Sequence, residues 1–445
     1  MAGRTVSVHQ ATWFQFFVAG MIVVLVALAY GGAINGGFHY DDFHAIVNNP
    51  AVRTWEPAAY FLSSGEGGGY RPVTVASFAL NNLATGMTPA GFLVVNLILH
   101  AANAWLVYLI GRRLLCDDRW AAVAAVGYAI HPVNAEAVNY VVARSSLLSS
   151  FGALAACWAL LRRDEGGRGW LAVAVAAFGL ALLSKEAALA LVPPILAWGW
   201  LLERDPVAAG SITRSAVSIG GTRVRWIPDA KVAFVFVGVS VLFLVLWTSM
   251  TSGRLSATPG GAAAYPAWTF SEIVVQSLLL WIWPWPLGLD HPLTFAHRFD
   301  PVFAAVCVSA IVLLGVLAAW SLRRDRFVAW CVIWILAGFA PLLPIPWLTT
   351  RGLLQEHRLA FSAAGLAWLT AWVMRRLLRA FAPRLGRPGL VRAIGVGAAG
   401  LAVLGAVLVD RSRSWVWNDD LRLWEEAVSR RPDDPLAYEI GRAHV

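Results

Sequence analysis

The sequence predicts an all-α protein that crosses a membrane many times, and three observations lead to this prediction. Hydrophobic residues make up 58% of the 445 residues and charged residues only 14%, which is more apolar surface than one water-soluble core can bury. Apolar runs of about 20 residues recur along the chain, and an α-helix of that length crosses roughly 30 Å of hydrocarbon. The basic residues lie in short clusters between these runs rather than along one face, so the net charge of +9 does not indicate a nucleic-acid partner.

The apolar runs fall into two groups by length. The longer runs, each predicted to span the membrane, are Trp13 to Ile34, Phe92 to Ile110, Val138 to Leu161, Val232 to Met250, Val302 to Leu322 and Val391 to Val409. Shorter runs, which need neighbouring helices to cross, are Trp120 to Ile130, Trp170 to Leu183, Ala187 to Leu202, Phe327 to Leu343 and Leu359 to Met374. The segment Ile273 to Leu289 carries two prolines near one end and is predicted to be re-entrant or interfacial. About eleven transmembrane helices are therefore expected.

The basic clusters predict the orientation of these helices. With the N-terminus in the cytoplasm, "GRR", "LLRR", "SLRRDR" and "MRRLLR" all fall on the cytoplasmic side, as the positive-inside rule requires. The first apolar run is too long for a signal-peptide core and is expected to be retained. This orientation places the loop "FHYDDFHAIVNNP", with its adjacent acids Asp41 and Asp42, on the outer side of the membrane.

Two polar stretches accompany the membrane part. The stretch "YRPVTVASFALNNLATGM" is too short and too polar to cross, and its apolar residues suit a helix lying in the membrane interface: Val73, Ala76, Phe78, Leu80 and Leu83. The stretch "RSWVWNDDLRLWEEAVSRRPDDPLAYEI" follows the last span, and helical spacing at Leu421, Trp424 and Val428 predicts the first helix of a tetratricopeptide repeat.

These features divide the chain into three parts. Residues 1–410 are expected to form the membrane domain, and residues 411–438 the start of a truncated repeat region on the outer side. Residues 439–445, "EIGRAHV", match what a common sequencing-adapter DNA would encode. We expect this tail to be non-native and the natural chain to continue into further repeats, because one repeat helix cannot bury its own apolar face.

Ionisable residues gather at the predicted outer face. They are Asp41, Asp42, Arg71, His131, Glu136, Arg144, Lys185, Glu186, Asp290, Glu356, His357 and Arg358. Each has a simpler explanation alone, such as a hydrated loop, a structural ion pair or a snorkelling lysine. Together they favour a pocket in which cationic side chains bind a lipid-anchored phosphate and a carboxylate accepts a proton from a hydroxyl.

Helical spacing adds two structural expectations. Glu136, Tyr140 and Arg144 are four residues apart, so they are predicted to share one face of a helix entering the membrane. Asn96 and His100, with Asn103 one turn further on, are predicted mainly to make hydrogen bonds between helices.

At this point the sequence resembles a known family, the GT-C class glycosyltransferases, and within them the transmembrane and tetratricopeptide-repeat-containing O-mannosyltransferases and their bacterial relatives. The matching stretches occur in order over most of the chain: "FHYDDFHAIVNNP", "YRPVT", "NLILHAAN", "HPVNAEAVNYVVARSSLLSS", "LLSKEAAL", "EHRLAFS" and "LWEEAVSRRPDDP". The resemblance implies a GT-C-like fold, a polyprenyl-phosphate-linked sugar donor and an acceptor hydroxyl on an extracytoplasmic protein or glycan. It also implies location in the bacterial inner membrane.

The resemblance further implies roles for individual residues. Asp41 or Asp42 would be the catalytic base, and the alternatives stay open at this stage. The donor phosphate and sugar would be bound by Arg71, His131, Glu136, Arg144, Lys185, Glu186, Glu356, His357 and Arg358. No cofactor is expected and metal independence is favoured, with a divalent ion held by Asp41 and Asp42 as the open alternative. Single displacement with inversion is the expected course. The rival interpretations are a glycosyltransferase acting on lipid or polysaccharide, a lipid-linked sugar transporter and a non-catalytic anchored scaffold.

Overall fold

The computed structural model of the protein describes residues 8–54, 69–163, 169–203, 230–255, 269–289, 300–343, 354–381 and 388–430, together with residues 291, 293 and 383. Regular structure in these residues is helical, and no β-strand occurs among them. The predicted all-α class is therefore confirmed. Asp290 and residues 431–445, which include the expected adapter-derived tail, lie outside the described residues.

Sixteen α-helices lie in the described part of the chain. In chain order they are α1 Val8–Tyr30, α2 Pro50–Arg53, α3 Pro72–Thr85, α4 Pro89–Leu115, α5 Asp118–Ala129, α6 Ala135–Asn139, α7 Arg144–Arg163, α8 Gly169–Ser184, α9 Val192–Glu203, α10 Ala230–Leu255, α11 Thr269–Ile282, α12 Pro301–Arg324, α13 Arg326–Phe339, α14 Ala360–Phe381, α15 Pro388–Trp417 and α16 Asp420–Arg430. Short 3₁₀ or π turns precede or follow several of them, at Gly31–Asn35, Phe43–Val47, Pro132–Asn134, Glu186–Leu191, Ala340–Leu342 and Glu356–Leu359.

Among the described residues, six helices are long and apolar enough to cross a membrane, and each corresponds to one of the longer predicted spans. They are Trp13–Asn35, Pro89–Leu115, Arg144–Arg163, Ala230–Thr251, Pro301–Arg324 and Ala393–Trp417. The five shorter predicted runs also form helices, in α5, α8, α9, α13 and α14. Helix α11 has 14 residues, a length of about 21 Å that is shorter than the hydrocarbon core. Helix α13, a predicted span, also has 14 residues, so the re-entrant or interfacial placement of α11 stays a prediction.

The predicted helix Val138 to Leu161 is interrupted near its start. Helix α6 ends just before Tyr140, which is extended, and α7 begins at Arg144. The expectation that Glu136, Tyr140 and Arg144 share one helical face is therefore wrong, because the chain changes direction between them.

Contacts from two other elements explain the interruption. The N–H of Val142 donates to Asp42 Oδ1 over 2.7 Å. Asn96 Nδ2 of α4 donates to the carbonyl oxygens of Val138 and Tyr140, at 3.4 and 3.2 Å. These side chains pair with backbone groups that a continuous helix would satisfy internally, so the break costs few hydrogen bonds.

The predicted cytoplasmic clusters meet at one end of the bundle. Arg375 of α14 donates to the carbonyl oxygen of Leu115, at the end of α4, over 2.8 Å. The neighbouring Arg376 pairs with Asp325, between α12 and α13, at 3.2 Å. Helices α4, α12 and α14 therefore place their basic ends together, and the candidate site lies at the other end of the bundle.

Close helix packing supports the site from within the bundle. A Cβ atom at Gly152 would lie 2.6 Å from the carbonyl oxygen of Ala177 and 2.8 Å from Ala181 Cβ, so α7 and α8 approach to backbone contact. Trp334 of α13 and Trp368 of α14 are fully buried and pack edge to face, with ring centroids 5.2 Å apart. Small residues and large rings together fill the interior at the density that a folded core requires.

Helix α3 lies at the site end, where the interfacial helix is predicted. Leu80 and Leu83 expose 53% and 65% of their surfaces, as expected for residues that face the membrane interface. Phe78 is only 1% exposed and packs inward, so the predicted interfacial face is narrower than the sequence pattern indicates.

The C-terminal helices differ from the predicted tail. Helix α15 continues through the proposed boundary at residue 410 as far as Trp417. Helix α16 coincides with the predicted repeat helix, but its buried residues are Leu423 and Trp424. Leu421 is 50% exposed, so the predicted apolar face is rotated. The rotation arises because α16 packs against the membrane part, with Trp424 on the Tyr40 ring and Leu423 in the same cluster as Tyr140. The division of the chain into domains stays a prediction.

Candidate active site

Asp42 is an anchor inside the loop that joins α1 to α2. Its side chain is fully buried. Its Oδ2 atom accepts from the N–H of His39 at 3.0 Å, and its Oδ1 atom accepts from the N–H of Val142 at 2.7 Å. Burial raises the pKa of Asp42 to about 7, although the two amide hydrogen bonds oppose the rise. Both carboxylate oxygens are occupied by backbone donors, so Asp42 holds the loop against the junction of α6 and α7.

Asp41 is exposed, although it adjoins this anchor. Its backbone N–H donates to the hydroxyl oxygen of Tyr140 over 3.0 Å. Partial burial raises the pKa of the Asp41 carboxyl, while the Tyr140 hydroxyl and the charges of Arg71 and Arg358 oppose the rise. The carboxylate is therefore accessible to a second molecule and lies within the field of two guanidinium groups.

The backbone before Asp41 explains why neighbouring acids meet different surroundings. Tyr40 has a φ of 42°, in the left-handed region that costs a non-glycine residue about 1 kcal/mol or more. Such a turn persists only when its surroundings hold it. Here the two hydrogen bonds to Asp42 and the bond from Asp41 to Tyr140 hold it. The turn leaves Asp41 exposed and Asp42 buried.

Arg71 and Glu186 form a two-pronged ion pair beside Asp41. The Nη2 and Nε atoms of Arg71 donate to the two carboxylate oxygens of Glu186, at 2.8 and 3.3 Å. Burial alone would raise the pKa of Glu186, but Arg71 outweighs it and holds that pKa at about 2. The pair joins the start of α3 to the turn after α8, and about a third of each side chain is exposed.

Lys185 is a buried amine next to this ion pair. Only 7% of the residue is exposed, and its Nζ donates to the Ser146 hydroxyl of α7 over 2.7 Å. No carboxylate forms an ion pair with it in the described part of the chain. Burial, with the nearby Arg71 and Arg358 charges, lowers the pKa of Lys185 to about 7. An anion entering the site would stabilise its charged form.

Glu136 and His357 bind each other at the inner wall. Glu136 Oε2 accepts from the backbone N–H of His357 at 3.0 Å, and Oε1 accepts from His357 Nδ1 at 2.9 Å. Burial lowers the pKa of His357 to about 4, so the ring is neutral at pH 7. This double contact fixes the start of the 3₁₀ turn that carries Arg358, whose charge influences both Asp41 and Lys185.

Glu356 is bound by a backbone amide and a histidine from the segment after α11. Its Oε1 accepts from the N–H of Gly288 at 2.8 Å and from His291 Nε2 at 2.9 Å. The side chain is 2% exposed, and burial raises the pKa of its carboxyl against the opposing effect of His291. Glu356 therefore ties the segment after α11 to the base of α14.

His131 is also engaged on both ring nitrogens. Its Nε2 donates to the carbonyl oxygen of Trp281 over 2.8 Å, and its Nδ1 accepts from the N–H of Val133 at 3.3 Å. The imidazole stacks on the Trp281 indole, with centroids 3.9 Å apart and planes at 5°. These contacts give His131 the role of a helix cap and packing residue, and we do not include it among the groups that face a substrate.

Arg144 is buried completely and bonded to neutral acceptors. Its Nε donates to Asn96 Oδ1 at 3.0 Å, and its Nη2 donates to Asn81 Oδ1 and to the carbonyl oxygen of Phe92, each at 2.8 Å. Its Nη1 donates to the carbonyl oxygen of Ser77 at 3.3 Å. The guanidinium therefore joins α3, α4 and α7 from a position without accessible surface.

The predicted residues thus divide into two sets. The set that meets around the exposed acid comes from four separate segments: Asp41, Arg71, Lys185, Glu186 and Arg358, with Glu136 and His357 behind Arg358. The set that holds the scaffold is Asp42, His131, Arg144 and Glu356. The predicted interhelical hydrogen bonds are confirmed as well, since Asn103 Nδ2 donates to the carbonyl oxygen of Leu147 at 3.1 Å and His100 contacts that of Ala129 at 2.9 Å.

Sequence reasoning did not select two residues that the structure places at the site. Ser146 is the hydrogen-bond partner of Lys185, and Tyr140 is the partner of Asp41. The serine pairs of "ARSSLLSS" were a signal, because hydroxyl groups in an apolar helix need acceptors or donors nearby.

The described residues contain no group of three or more His, Cys, Asp or Glu side chains that could hold a metal ion. The Asp41 and Asp42 pair does not present two free carboxylates, because both oxygens of Asp42 accept from backbone amides. Metal independence stays a prediction.

Comparison with known proteins connects this arrangement to a class of membrane protein. Residues 72–222 match the family described as dolichyl-phosphate-mannose-protein mannosyltransferase. Protein O-mannosyl-transferase Tmtc1 of Drosophila melanogaster is 38% identical over 308 residues, covering 63% of this chain and 35% of that protein. Human protein O-mannosyl-transferase TMTC3 is 29% identical over 219 residues, covering 45% of this chain and 24% of that protein.

Among solved structures, the fold is similar to that of the oligosaccharyltransferase AglB from Archaeoglobus fulgidus in complex with an inhibitory peptide and a dolichol-phosphate. The TM-score is 0.51 at 15% sequence identity, over 97% of this chain and 59% of that one. The likeness supports the GT-C-like fold predicted from the sequence.

The architecture and the sequence relatives agree with a membrane protein of GT-C-like fold. More particularly, the chain is related to the TMTC protein O-mannosyl-transferases, and the resemblance stated from the sequence is confirmed. The chain spans only about a third of the length of Tmtc1 and less of the human relative.

Proposed function

We propose that this protein is a membrane glycosyltransferase whose active site lies on the extracytoplasmic face of the membrane. It moves a sugar from a polyprenyl-phosphate donor to a hydroxyl group of an extracytoplasmic protein. The observation that supports this proposal most directly is the exposed Asp41 carboxylate beside Arg71 and Arg358, with the buried Lys185 close to both cations. The named activities of the relatives, dolichyl-phosphate-mannose-protein mannosyltransferase and protein O-mannosyl-transferase, favour this donor and acceptor class.

The cationic groups suit the donor phosphate. Lys185 offers an ammonium group without a carboxylate partner among the described residues, and Arg358 carries a second charge close by. Arg71 already binds Glu186 through Nε and Nη2, so it contributes through its remaining N–H groups and as a wall of the cleft. Guanidinium and ammonium groups bind phosphate oxygens strongly when water is excluded.

Asp41 suits the role of catalytic base. In the proposed step the acceptor oxygen forms a bond to the anomeric carbon of the sugar while the bond from that carbon to the phosphate oxygen breaks. The phosphate leaves with the bonding electron pair, and the hydroxyl proton passes to the Asp41 carboxylate. Because phosphate is a good leaving group, no general acid is required, and a single displacement inverts the anomeric centre.

The proposal places the protein across a bacterial inner membrane as a multi-pass protein. The ends of α4, α12 and α14 that carry the basic clusters would face the cytoplasm. The Asp41 loop and α16 would lie outside, where an acceptor protein can reach them. The partners are then the bilayer, the lipid-linked sugar and a protein acceptor. Mass spectrometry of outer-compartment proteins and glycans, with and without the gene, would identify the acceptor.

The test compares Asp41→Asn with Asp42→Asn in reconstituted vesicles supplied with polyprenyl-phosphate mannose and an acceptor peptide. We expect Asp41→Asn to reduce transfer by roughly 10² to 10⁴, the usual contribution of a positioned base, with an unfolding temperature equal to that of the parent. Asp42→Asn should lower the unfolding temperature, because one backbone amide would face an amide NH₂ group instead of a carboxylate oxygen. Undiminished transfer by a folded Asp41→Asn protein would contradict the assignment of the base.

A further inference from the structure

Helix α16 packs directly on the loop that carries Asp41. Trp424 meets the ring of Tyr40 with centroids 6.0 Å apart and planes at 66°. The carboxylate of Asp420 pairs with Nδ1 of His39, a residue that is only 2% exposed. Two consecutive residues of the loop, immediately before Asp41, are therefore held by side chains of α16.

The end of α15 and helix α16 also contact Tyr140, the hydrogen-bond partner of Asp41. Trp417, at the end of α15, packs against the rings of His39 and Tyr140, with centroids 5.7 and 5.3 Å away. Leu423 of α16 is 1% exposed and belongs to the same apolar cluster as Tyr140. Since the Tyr140 hydroxyl accepts from the N–H of Asp41, the corner between α15 and α16 supports both sides of the acid.

Charged contacts fix α16 to the rest of the molecule. Arg413 of α15 donates to both carboxylate oxygens of Glu426, at 2.8 and 2.7 Å. Arg430 binds the same carboxylate and lies so close to Gly288 that a Cβ atom there would be 2.1 Å from Arg430 Nη1. Gly288 is also bound by Glu356. The helix is thus attached at both ends of its inner face.

The strained backbone of Tyr40 depends on contacts such as those from α16. A φ of 42° at a tyrosine is maintained only by contacts from outside the turn, and the ring of Tyr40 packs against Trp424. The ring contact therefore adds to the hydrogen bonds of Asp41 and Asp42 that hold the turn, and losing it would weaken the hold on the orientation of Asp41 relative to Arg71 and Arg358. Small displacements of a catalytic group reduce rates strongly.

We infer that α16 positions the catalytic loop, with Trp424 and Asp420 as positioning residues for Asp41. The helix that the sequence pattern predicts to open a separate repeat region is thereby part of the active site's support. The effect on catalysis rests on the proposed function, whereas the effect on the loop does not.

The experiment measures amide hydrogen exchange and transfer in the full chain in parallel. Trp424→Ala should raise exchange in residues 38–47 on the order of tenfold while leaving α4 and α7 unchanged. It should also lower kcat by up to about 10²-fold with the KM for polyprenyl-phosphate mannose unchanged. Trp424→Phe, which keeps a ring against Tyr40, should restore most of the rate. Leu421→Ala is the matched control, because Leu421 lies on the exposed side of α16.

Asp420→Ala is the second variant, since it keeps the apolar contacts and is less apt to unfold the corner; its control is Glu425→Ala, an exposed acid of the same helix. If neither Trp424→Ala nor Asp420→Ala changes amide hydrogen exchange in the loop, the positioning role of α16 is wrong, whatever the transfer rates of the two variants are. Looser loops with an unchanged kcat would overturn it as well. A parent protein with no transfer activity would refute the proposed function instead, and the exchange data would still decide whether α16 holds the loop.

Discussion

Asp41 and Asp42 are adjacent, yet one is exposed and the other has no accessible surface. The difference follows from the left-handed turn at Tyr40 and from two backbone amides that bind Asp42, one of them 100 residues away in the chain. A buried carboxylate with both oxygens occupied can support a loop but has no oxygen left for an incoming hydroxyl. The geometry therefore favours Asp41 for the role that the sequence left open between the two.

Lys185 gives a pH prediction at the same scale. Burial lowers its pKa to about 7, so in the empty site the amine loses its proton as pH rises through neutrality. Binding of an anionic phosphate requires the charged form. We expect the KM for the lipid-linked donor to increase between about pH 6 and pH 9. A lysine with an ordinary pKa would stay protonated over this range and would give no such increase.

Lys185→Met should raise that KM by about tenfold or more and remove its pH dependence in this range, because a charge-assisted hydrogen bond is lost. The chain has only one other lysine, the exposed Lys231, and Lys231→Met is therefore a close control. A Lys185→Met protein with the parent KM and the parent pH profile would exclude Lys185 from phosphate binding. Steady-state transfer rates at varied donor concentration and pH supply the measurement.

At the scale of helices, one arginine joins three elements. Arg144 is the first residue of α7 and donates to side-chain and backbone oxygens of α3 and α4. The same region of α4 pairs with the carbonyl groups between α6 and α7. The junction that carries Tyr140 therefore depends on polar contacts across helices rather than on continuous helical hydrogen bonding.

Arg144→Met should destabilise the fold by about 3 kcal/mol or more, because it leaves several buried acceptors without a donor. The loss should be visible as a lower unfolding temperature in detergent, and Arg144→Lys should recover little of it because an ammonium group lacks the planar fork. Arg411→Met, at an exposed position of α15, should have no effect. Normal stability of Arg144→Met with a selective loss of donor affinity would instead return Arg144 to the phosphate site.

For the whole molecule, the two ends of the bundle differ in charge and in content. The arginine-rich ends of α4 and α14 meet at one end, and the acids and bases of the candidate site lie at the other. Because moving basic residues across the bilayer is costly, the positive-inside rule predicts that the arginine-rich end faces the cytoplasm. The orientation can be tested with a cysteine that the chain already contains.

Cys116, in the turn after α4, is exposed, whereas Cys157, Cys307 and Cys331 are buried. We expect a membrane-impermeant maleimide to label Cys116 in intact cells only after the membrane is permeabilised. In a Cys116→Ser protein that also carries Leu421→Cys, labelling should occur without permeabilisation, since α16 lies at the other end. The reverse pattern would invert the orientation and remove the Asp41 loop from the outer face.

Much of the fold was predictable from the sequence because the relevant physics is local. Runs of apolar residues long enough to cross the bilayer mark the helices, and each of the six long helices coincides with a predicted run. The failures occur where distant groups intervene. The break before Arg144 depends on Asp42 and Asn96, and neither contact leaves a mark in the hydropathy of residues 138–161.

The sequence by itself determined that the protein is a bundle of membrane helices and that its acids and bases gather at one end, because hydropathy and charge act on each segment separately. Only the tertiary structure decided which of these groups meet around Asp41 and which support the scaffold. Asp42, Arg144 and Glu356 are bound by partners that, apart from His39 beside Asp42, lie 48 to 100 residues away in the chain. The Asp41 carboxylate is exposed, and Lys185 has no ion pair among the described residues. Which groups are used depends on contacts between segments that are distant in the chain, and no single segment determines those contacts.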